Sequence, residues 1–371
     1  MTGTRRTGWV FDEQYLWHDT GTGAGPFPAV GWIEPMEHIE GPPAKRRFAN
    51  LVAVSGLLDQ LVRIAPVPAT EVQIDAVHTP AHRRRIEAEA FSGRGDAGDG
   101  SSPFGAESYR IALLAAGGVI AAVDAVLDGR VDNAYALVRP PGHHAMSDNG
   151  WGFCIFNNVA VAVAHARDRG LERVAVVDLD VHHGNGTEQI FGADPSVLTI
   201  SIHQDGAYPP GSGPVDHVGE GAGVGTNLNV PLPPGSGSGA YDAAMEQVVV
   251  RALRRFRPEL VVVASGFDAN GMDPLARQML SSEGFRSCAR HLRLVAEEVA
   301  DGRLVMAHEG GYSPFVVPFC GLAVVEELSG IRTEVDDPFL AAIEGYGQAL
   351  RPHQADAVAL AAANVELVPE P

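Results

Sequence analysis

Cysteine is scarce in this 371-residue chain: Cys154, Cys288 and Cys320 are the only three, and none belongs to a CxxC pair. An odd count at wide spacing argues against a disulfide framework. Basic residues are also few, 27 Lys and Arg against 46 Asp and Glu, for a formal net charge of −19. That field repels phosphate backbones, so nucleic acid is not an expected partner. It suits a cationic partner such as a lysine-rich tail or a polyamine, and equally plain solubility. No uninterrupted apolar run reaches bilayer-spanning length, so no membrane partner is expected. Met1 to Trp9 carries two arginines and no apolar core. No signal peptide is therefore expected, and the expected location is cytoplasmic. Repeats at solenoid periods, GxxxxGKS/T and GxSxG are all missing. Gly93-Arg-Gly95-Asp-Ala-Gly98 fits GxGxxG literally but follows a charged helical stretch instead of a strand, which excludes a dinucleotide site.

What is present reads as one soluble α/β domain spanning residues 1–371, with 45% hydrophobic and 20% charged residues. Strands are expected at Ala134–Val138, Arg173–Asp178, Val197–His203, Leu260–Ser265 and Leu304–Ala307. Helices are expected at Asn157–Arg169, Tyr241–Phe256 and Ser282–Ala300, with a helical turn at Thr187–Phe191. Strands that alternate with helices and are continuously apolar imply a mainly parallel central sheet with helices on both faces. Gly93 to Gly105 and Tyr208 to Gly225 read as long loops that shape a site. The Gly235–Gly239 run reads as a turn. The tail, 331–371, has helical patches and no assignable chemistry.

Polar clusters follow four of the strands, where open α/β sheets bind ligands. In Asp178-Leu-Asp180-Val-His182, residues two apart share a face of an extended segment. Two crowded carboxylates cost several kcal/mol each, roughly, if buried unpaired. A divalent cation removes that cost, and the mix of imidazole and carboxylate suits zinc or ferrous iron. Asp268 supplies a third ligand and leaves a coordination position open for water or a carbonyl. The bland alternative is a structural Asp/His turn cluster. His143 and His144, after Pro-Pro-Gly, are expected at a strand end and outside the packed core, where either can act as a general base. The alternative is a satisfied loop pair. Gly310 and Gly311 let the backbone approach a ligand closely, and the Tyr312 hydroxyl can donate to a developing oxyanion; alternatively the three make a rim turn. Cys154 lies in an apolar setting that keeps a thiol inert.

RPPGHH, GFCIFNN, VDLDVHHGNGT, SGFDAN, DPLA and EGGY occur in one order over roughly residues 40–330. Together they resemble the arginase-like deacetylase family. HHGNGT and HEGGY resemble its class II histone deacetylase branch, and further segments resemble the bacterial histone deacetylase-like amidohydrolases. The resemblance implies zinc held by Asp180, His182 and Asp268, and proton transfer by His143 and His144, oriented by Asp178 and Asn185. It implies that Tyr312 polarises the scissile carbonyl. Phe153 and Tyr208 become the walls of an acyl-lysine tunnel, with Tyr where the family usually has Phe, and the Gly152 carbonyl meets the substrate amide. Potassium is implied at Asp178, Asp180, His182, Ser201 and Ile202, and a second ion at Phe191, Asp194 and Val197. Leu275 stands where polyamine-selective members tend to carry an acid, which favours an acyl-lysine peptide or protein as substrate over a small acylamide. Tyr312 is not the His of weakly active class IIa members, and the ligand set is complete, so an enzyme is expected, not a non-catalytic reader. The oligomeric state, a homo-oligomer included, stays open.

Overall fold

The computed structural model describes residues 5–371; of the Met1 to Trp9 stretch, residues 1–4 lie outside the described residues. Eight strands form the central sheet: β1 (Thr7–Val10), β2 (Val62–Ile64), β3 (Asn133–Ala136), β4 (Val174–Asp178), β5 (Val197–Gln204), β6 (Asn227–Leu232), β7 (Leu260–Ser265) and β8 (Leu304–His308). The principal helices are α1 (Pro43–Val54), α2 (Ser108–Leu127), α3 (Asn158–Asp168), α4 (Asn185–Phe191), α5 (Ser282–Val299) and α6 (Val317–Ser329). The sheet order is β6-β5-β4-β7-β8-β3-β1-β2, and every pairing in it is parallel.

Alternate residues of one strand serve opposite faces of the sheet. Val261 and Val263 of β7 enter one core cluster with Phe48 of α1, Leu292 of α5 and Val325 of α6. Leu260, Val262 and Ala264 enter the other with Ile111 and Val119 of α2 and Val161 of α3. Two covered faces require an unbroken apolar run, which is why LVVVAS shows no alternation. α2 is long and apolar enough to span a bilayer by length and composition, yet Ile111, Ala115, Val119 and Val123 are buried. It is a core helix.

The expected strands and helices are present, with ends shifted by a few residues. Asn157 is a cap instead of a helical residue: its side chain accepts from Ala160 N. The expected Tyr241–Phe256 helix starts earlier, at Ser238, and passes through a π segment at Met245–Val249. Consequently Ser238 and Gly239 belong to that helix and not to the turn expected there. The loop expected from Gly93 to Gly105 contains a small antiparallel pair, Arg94–Asp96 with Pro103–Gly105. β1, β2 and β6, and helices α1, α2 and α6, were absent from the sequence-based expectations. The tail adds the helix Pro352–Ala363, with Val358 and Ala361 buried, and joins the same core cluster as β6.

Candidate active site

β4, β7, β8 and β3 are consecutive in the sheet, so the four polar segments that leave their carboxyl ends are neighbours. From β4 the chain winds to β5 on one side, and from β7 to β8 on the other. The β4–β7 boundary is therefore the point where the winding reverses, the place where α/β sheets open a crevice. Asp180 and His182 approach it from β4, and Asp268 from β7.

Donor atoms of Asp180, His182 and Asp268 all lie within 4.8 Å of one another. Asp180 and Asp268 are fully buried. His182 Nδ1 is 3.0 Å from Asp180 Oδ1 and 3.1 Å from Asp268 Oδ2. One ring N–H cannot serve both, and Asp268 Oδ2 is left buried without a hydrogen bond. The other carboxylate oxygens are held by backbone amides: Val181 N donates to Asp268 Oδ1 (2.8 Å) and Gly310 N to Asp180 Oδ2 (2.8 Å). Burial and the neighbouring Asp180 charge push Asp268 up to about 6. Burial opposes a charge on His182, but the adjoining Asp180 and Asp268 carboxylates carry its pKa up to about 10. Two buried carboxylates and an imidazole within one coordination radius, with one oxygen orphaned, fit a divalent cation.

The glycines of Glu309-Gly-Gly-Tyr312 act differently from the sequence-based expectation. A Cβ on Gly310 would lie 2.2 Å from Asp268 Oδ2, and one on Gly266 2.3 Å from Asp180 Oδ2. The Gly310 and Gly266 backbones closely approach the two carboxylates. Gly311 O accepts from Lys45 Nζ at 3.5 Å, and neither Gly310 nor Gly311 lines the cavity described below.

His143 and His144 are buried, 2% and 3% exposed, contrary to the expectation that a strand-end turn keeps them out of the core. The turn folds inward because His143 O accepts from Gly186 N (3.1 Å) and Thr187 N (3.2 Å) at the start of α4. The orienting partners are those expected: His143 Nδ1 is 2.9 Å from Asp178 Oδ2, and His144 Nδ1 is 2.7 Å from Asn185 Oδ1. With Asn185 Oδ1 as acceptor, Nδ1 of His144 carries the proton. The two rings, 3.9 Å apart, are pulled in opposite directions. Burial opposes a charge on His143, and Asp178 and Asp180 outweigh it, holding its pKa well above the usual value. Burial, then the His143 and His182 charges, hold His144 well below it. The surroundings thus favour a proton on His143 and a neutral ring at His144.

A cavity of about 360 Å³ rises above this cluster, within the range of small-molecule sites. It brings together His144, Gly152, Phe153, His182, Tyr208, Leu275 and Tyr312. His143, Asp178 and Asn185 stand behind that lining. Phe153 has φ 70°, a left-handed conformation costing about 1–2 kcal/mol for a residue with a Cβ. It is held by its own N–H donating to Ser102 Oγ at 2.7 Å, and its ring meets Tyr312 edge-on at 5.8 Å. Gly152, at φ 53°, could carry no side chain, since a Cβ would lie 2.3 Å from His144 Cδ2. Burial, then Asp268 and Asp180, hold the Tyr312 phenol well above its usual pKa, so it keeps its proton.

Sequence reasoning missed Pro26, Phe27, Ser101, Ala207 and Pro210 in the lining. Ser101 falls in the 93–105 loop already marked as site-shaping; nothing local marks Pro26 or Phe27. Three acids were also missed. Asp99 accepts from Gly152 N at 2.8 Å and from the Tyr208 hydroxyl at 3.3 Å. Asp273 accepts from Tyr312 N at 2.8 Å, and Glu309 from Gly142 N at 2.6 Å. The last two stand inside the DPLA and EGGY motifs, so their signal was present without a partner.

Of the residues marked for potassium, Asp178 and Ser201 face each other in the β4–β5 register, and the Ile202 side chain is core. At the second set, Asp194 N donates to Phe191 O (2.8 Å) and Val197 N to Asp194 O (3.3 Å). The Asp194 carboxylate is already engaged by Arg167 at 3.1 Å.

Residues 38–328 match the model of the histone deacetylase domain. Over 350 residues the chain is 52% identical to the histone deacetylase-like amidohydrolase of Pseudomonas aeruginosa, covering 92% of this chain and 90% of that one. It is 38% identical over 296 residues to the polyamine deacetylase HDAC10 of Homo sapiens, covering 76% of this chain and 43% of that protein. The crystal structure of the HDA15 HD domain superposes with a TM-score of 0.85 at 30% identity, covering 99% of this chain and 96% of that one. This chain belongs to the histone deacetylase family, and it is a hydrolase that removes acyl groups as a deacetylase.

Proposed function

We propose that the protein is a zinc-dependent deacetylase of acyl-lysine side chains, of the class II type. One observation carries the reading: a neutral imidazole, His144, and a protonated phenol, Tyr312, line an apolar-walled cavity directly beside the Asp180, His182 and Asp268 donors. Those three residues would hold the metal. When bound, zinc polarises the acyl carbonyl and makes water a stronger acid and nucleophile at neutral pH.

The remaining steps belong to the chain's own groups. Phe153 and Tyr208 wall the cavity for the lysine stem, with Leu275 beside them. Asn185 fixes the tautomer of His144 and leaves Nε2 free to take the proton of the attacking water. The Tyr312 hydroxyl donates to the carbonyl oxygen as negative charge grows on it, an interaction stronger in the transition state than in the ground state. Asp178 keeps His143 protonated behind His144, a positive charge beside the developing anion. The histidine pair then returns a proton to the leaving lysine amine. Potassium beside Asp178 and Ser201 would offset the excess of buried carboxylates there; at Asp194, where Arg167 already does so, an ion would rest on backbone carbonyls.

A small acylamide such as an acetylpolyamine is the second reading, favoured by the net charge of −19 and by likeness to a polyamine deacetylase. Leu275 at the cavity, in place of an acid, favours the peptide. The test compares kcat/KM for an acetyl-lysine peptide with that for acetylputrescine, with metal content measured. Turnover of the peptide that is lost on chelation and restored by zinc supports the first reading. A preference for acetylputrescine replaces it by the second.

A further inference from the structure

We propose that Glu309 is a positioning residue, clamping the turn that carries His143 and His144 to the segment that carries Tyr312. Glu309 follows β8, which pairs with β3, and the histidine turn leaves β3. Glu309 Oε2 accepts from two consecutive backbone amides of that turn, Gly142 N at 2.6 Å and His143 N at 3.1 Å. All of these groups are buried, with Glu309 and the turn from Arg139 to His144 closed to solvent.

The turn has other backbone anchors: Pro140 O accepts from Asn158 Nδ2 at 3.0 Å, and His143 O accepts from the start of α4. These hold carbonyls. Glu309 holds the two amides in between, and without it both would be buried donors with no partner. The clamp also reaches toward the chemistry, since a Glu309 oxygen, a His143 ring nitrogen and Cys154 Sγ lie within 4.8 Å of one another. Three residues further along the same segment, Tyr312 lines the same cavity as His144. One side chain thus sets the distance between the base and the oxyanion donor. A misplacement of about 1 Å in such a pair costs on the order of 10²-fold in rate.

The inference rests on reading the histidine pair as the proton-transfer groups. Its test measures kcat, KM and zinc content for Glu309→Ala, Glu309→Gln and Glu309→Asp, beside His144→Ala. Glu309→Ala is expected to lose about 10–100-fold in kcat, with KM within about 2-fold and zinc stoichiometric. Glu309→Gln, which can still accept both amides, is expected to recover most of that loss. Should Glu309→Ala fail to fold, Glu309→Asp keeps the carboxyl group but shortens the reach, and is expected to lose kcat with the fold intact. Wild-type kcat in Glu309→Ala or Glu309→Asp overturns the proposal, as does a Gln variant no better than Ala, or a loss that follows zinc content. His144→Ala separates the two readings. If it keeps full rate, the proton-transfer assignment fails; if it loses rate while Glu309→Asp does not, only the clamp fails.

Discussion

Two clusters of charge are buried in this protein, and they balance in opposite ways. In the first, Glu40, Lys45 and Arg139 are at most 1% exposed. Arg139 Nε lies 3.0 Å from each Glu40 oxygen, and Lys45 Nζ lies 3.1 Å from Oε1. Arg139 also donates to His18 O at 2.7 Å and to Glu40 O at 2.9 Å. Burial works against the Glu40 charge, but Arg139 and Lys45 outweigh it and hold the carboxyl well below its usual pKa. In the second cluster Asp178, Asp180 and Asp268 crowd around His143 and His182, and one oxygen, Asp268 Oδ2, has no hydrogen bond. The first cluster closes on itself and is scaffold. The second is short of positive charge at one point in space, and that shortage makes it a site.

The largest effect that would sharpen this contrast is Asp268→Ala. Removing a ligand should cut the deacetylation rate by at least ~10³-fold, several kcal/mol of transition-state stabilisation, and abolish stoichiometric zinc. Its stability without metal should fall by only about 1 kcal/mol, because Val181 N loses its acceptor while the repulsion between the Asp180 and Asp268 carboxylates is relieved. Stoichiometric zinc in that variant would break the contrast. Arg139→Met should do the reverse. It strands Glu40 beside Lys45 alone and should cost about 3–5 kcal/mol of stability in denaturant unfolding; a cost below about 1 kcal/mol would show that the first cluster is not scaffold.

Tyr312 stands between the clusters, with Lys45 Nζ 5.1 Å from its ring centroid and its ring in the cavity lining. Tyr312→Phe should lower kcat by about 10²–10³-fold with KM little changed, as expected for one lost oxyanion donor. Full rate in that variant would remove Tyr312 from the chemistry.

Glu309 shows a third way to balance a buried carboxylate, by taking a proton. Burial raises it from 4.5 to about 7, against the pull of His143. The native state therefore binds a proton that the unfolded chain has lost between about pH 4.5 and 7. The stability this contributes is full below pH 4.5 and is lost as pH rises through 7. Relative to the wild type, Glu309→Gln should gain about 3 kcal/mol between pH 4.5 and 8 in denaturant unfolding. An equal difference at both pH values would contradict the raised pKa.

The metal-binding half of the site was legible early, and the clamps that hold it were not. Asp178, Asp180 and His182 are spaced two apart, which marked them as one group in the sequence, although β4 ends at Asp178 and Asp180 to His182 lie in a bend. LVVVAS reads as a strand because a run buried on both faces has no polar positions. His143 and His144 were misjudged because their burial depends on α4, more than 40 residues away, accepting the turn. Glu309 and Asp273 were visible only as letters inside motifs. Their work is to accept amides from Gly142, His143 and Tyr312, and sequence spacing cannot report which amide a carboxylate meets.

By itself the sequence determined the candidate ligand types and the alternation of strand and helix, which follow from periodicity and from motifs a few residues long; the Asp178 and Asn185 partners of the two histidines were implied by the family resemblance alone. Only the tertiary structure decided that β4, β7, β8 and β3 are neighbours, that Asp268 Oδ2 goes unpaired, and that Pro26 and Phe27 reach the cavity. Those facts depend on contacts between segments far apart in the chain, Leu260 of β7 against Val174 of β4 and Leu304 of β8 against Asn133 of β3 among them, and packing and loop-closure entropy choose among such contacts, not local propensity.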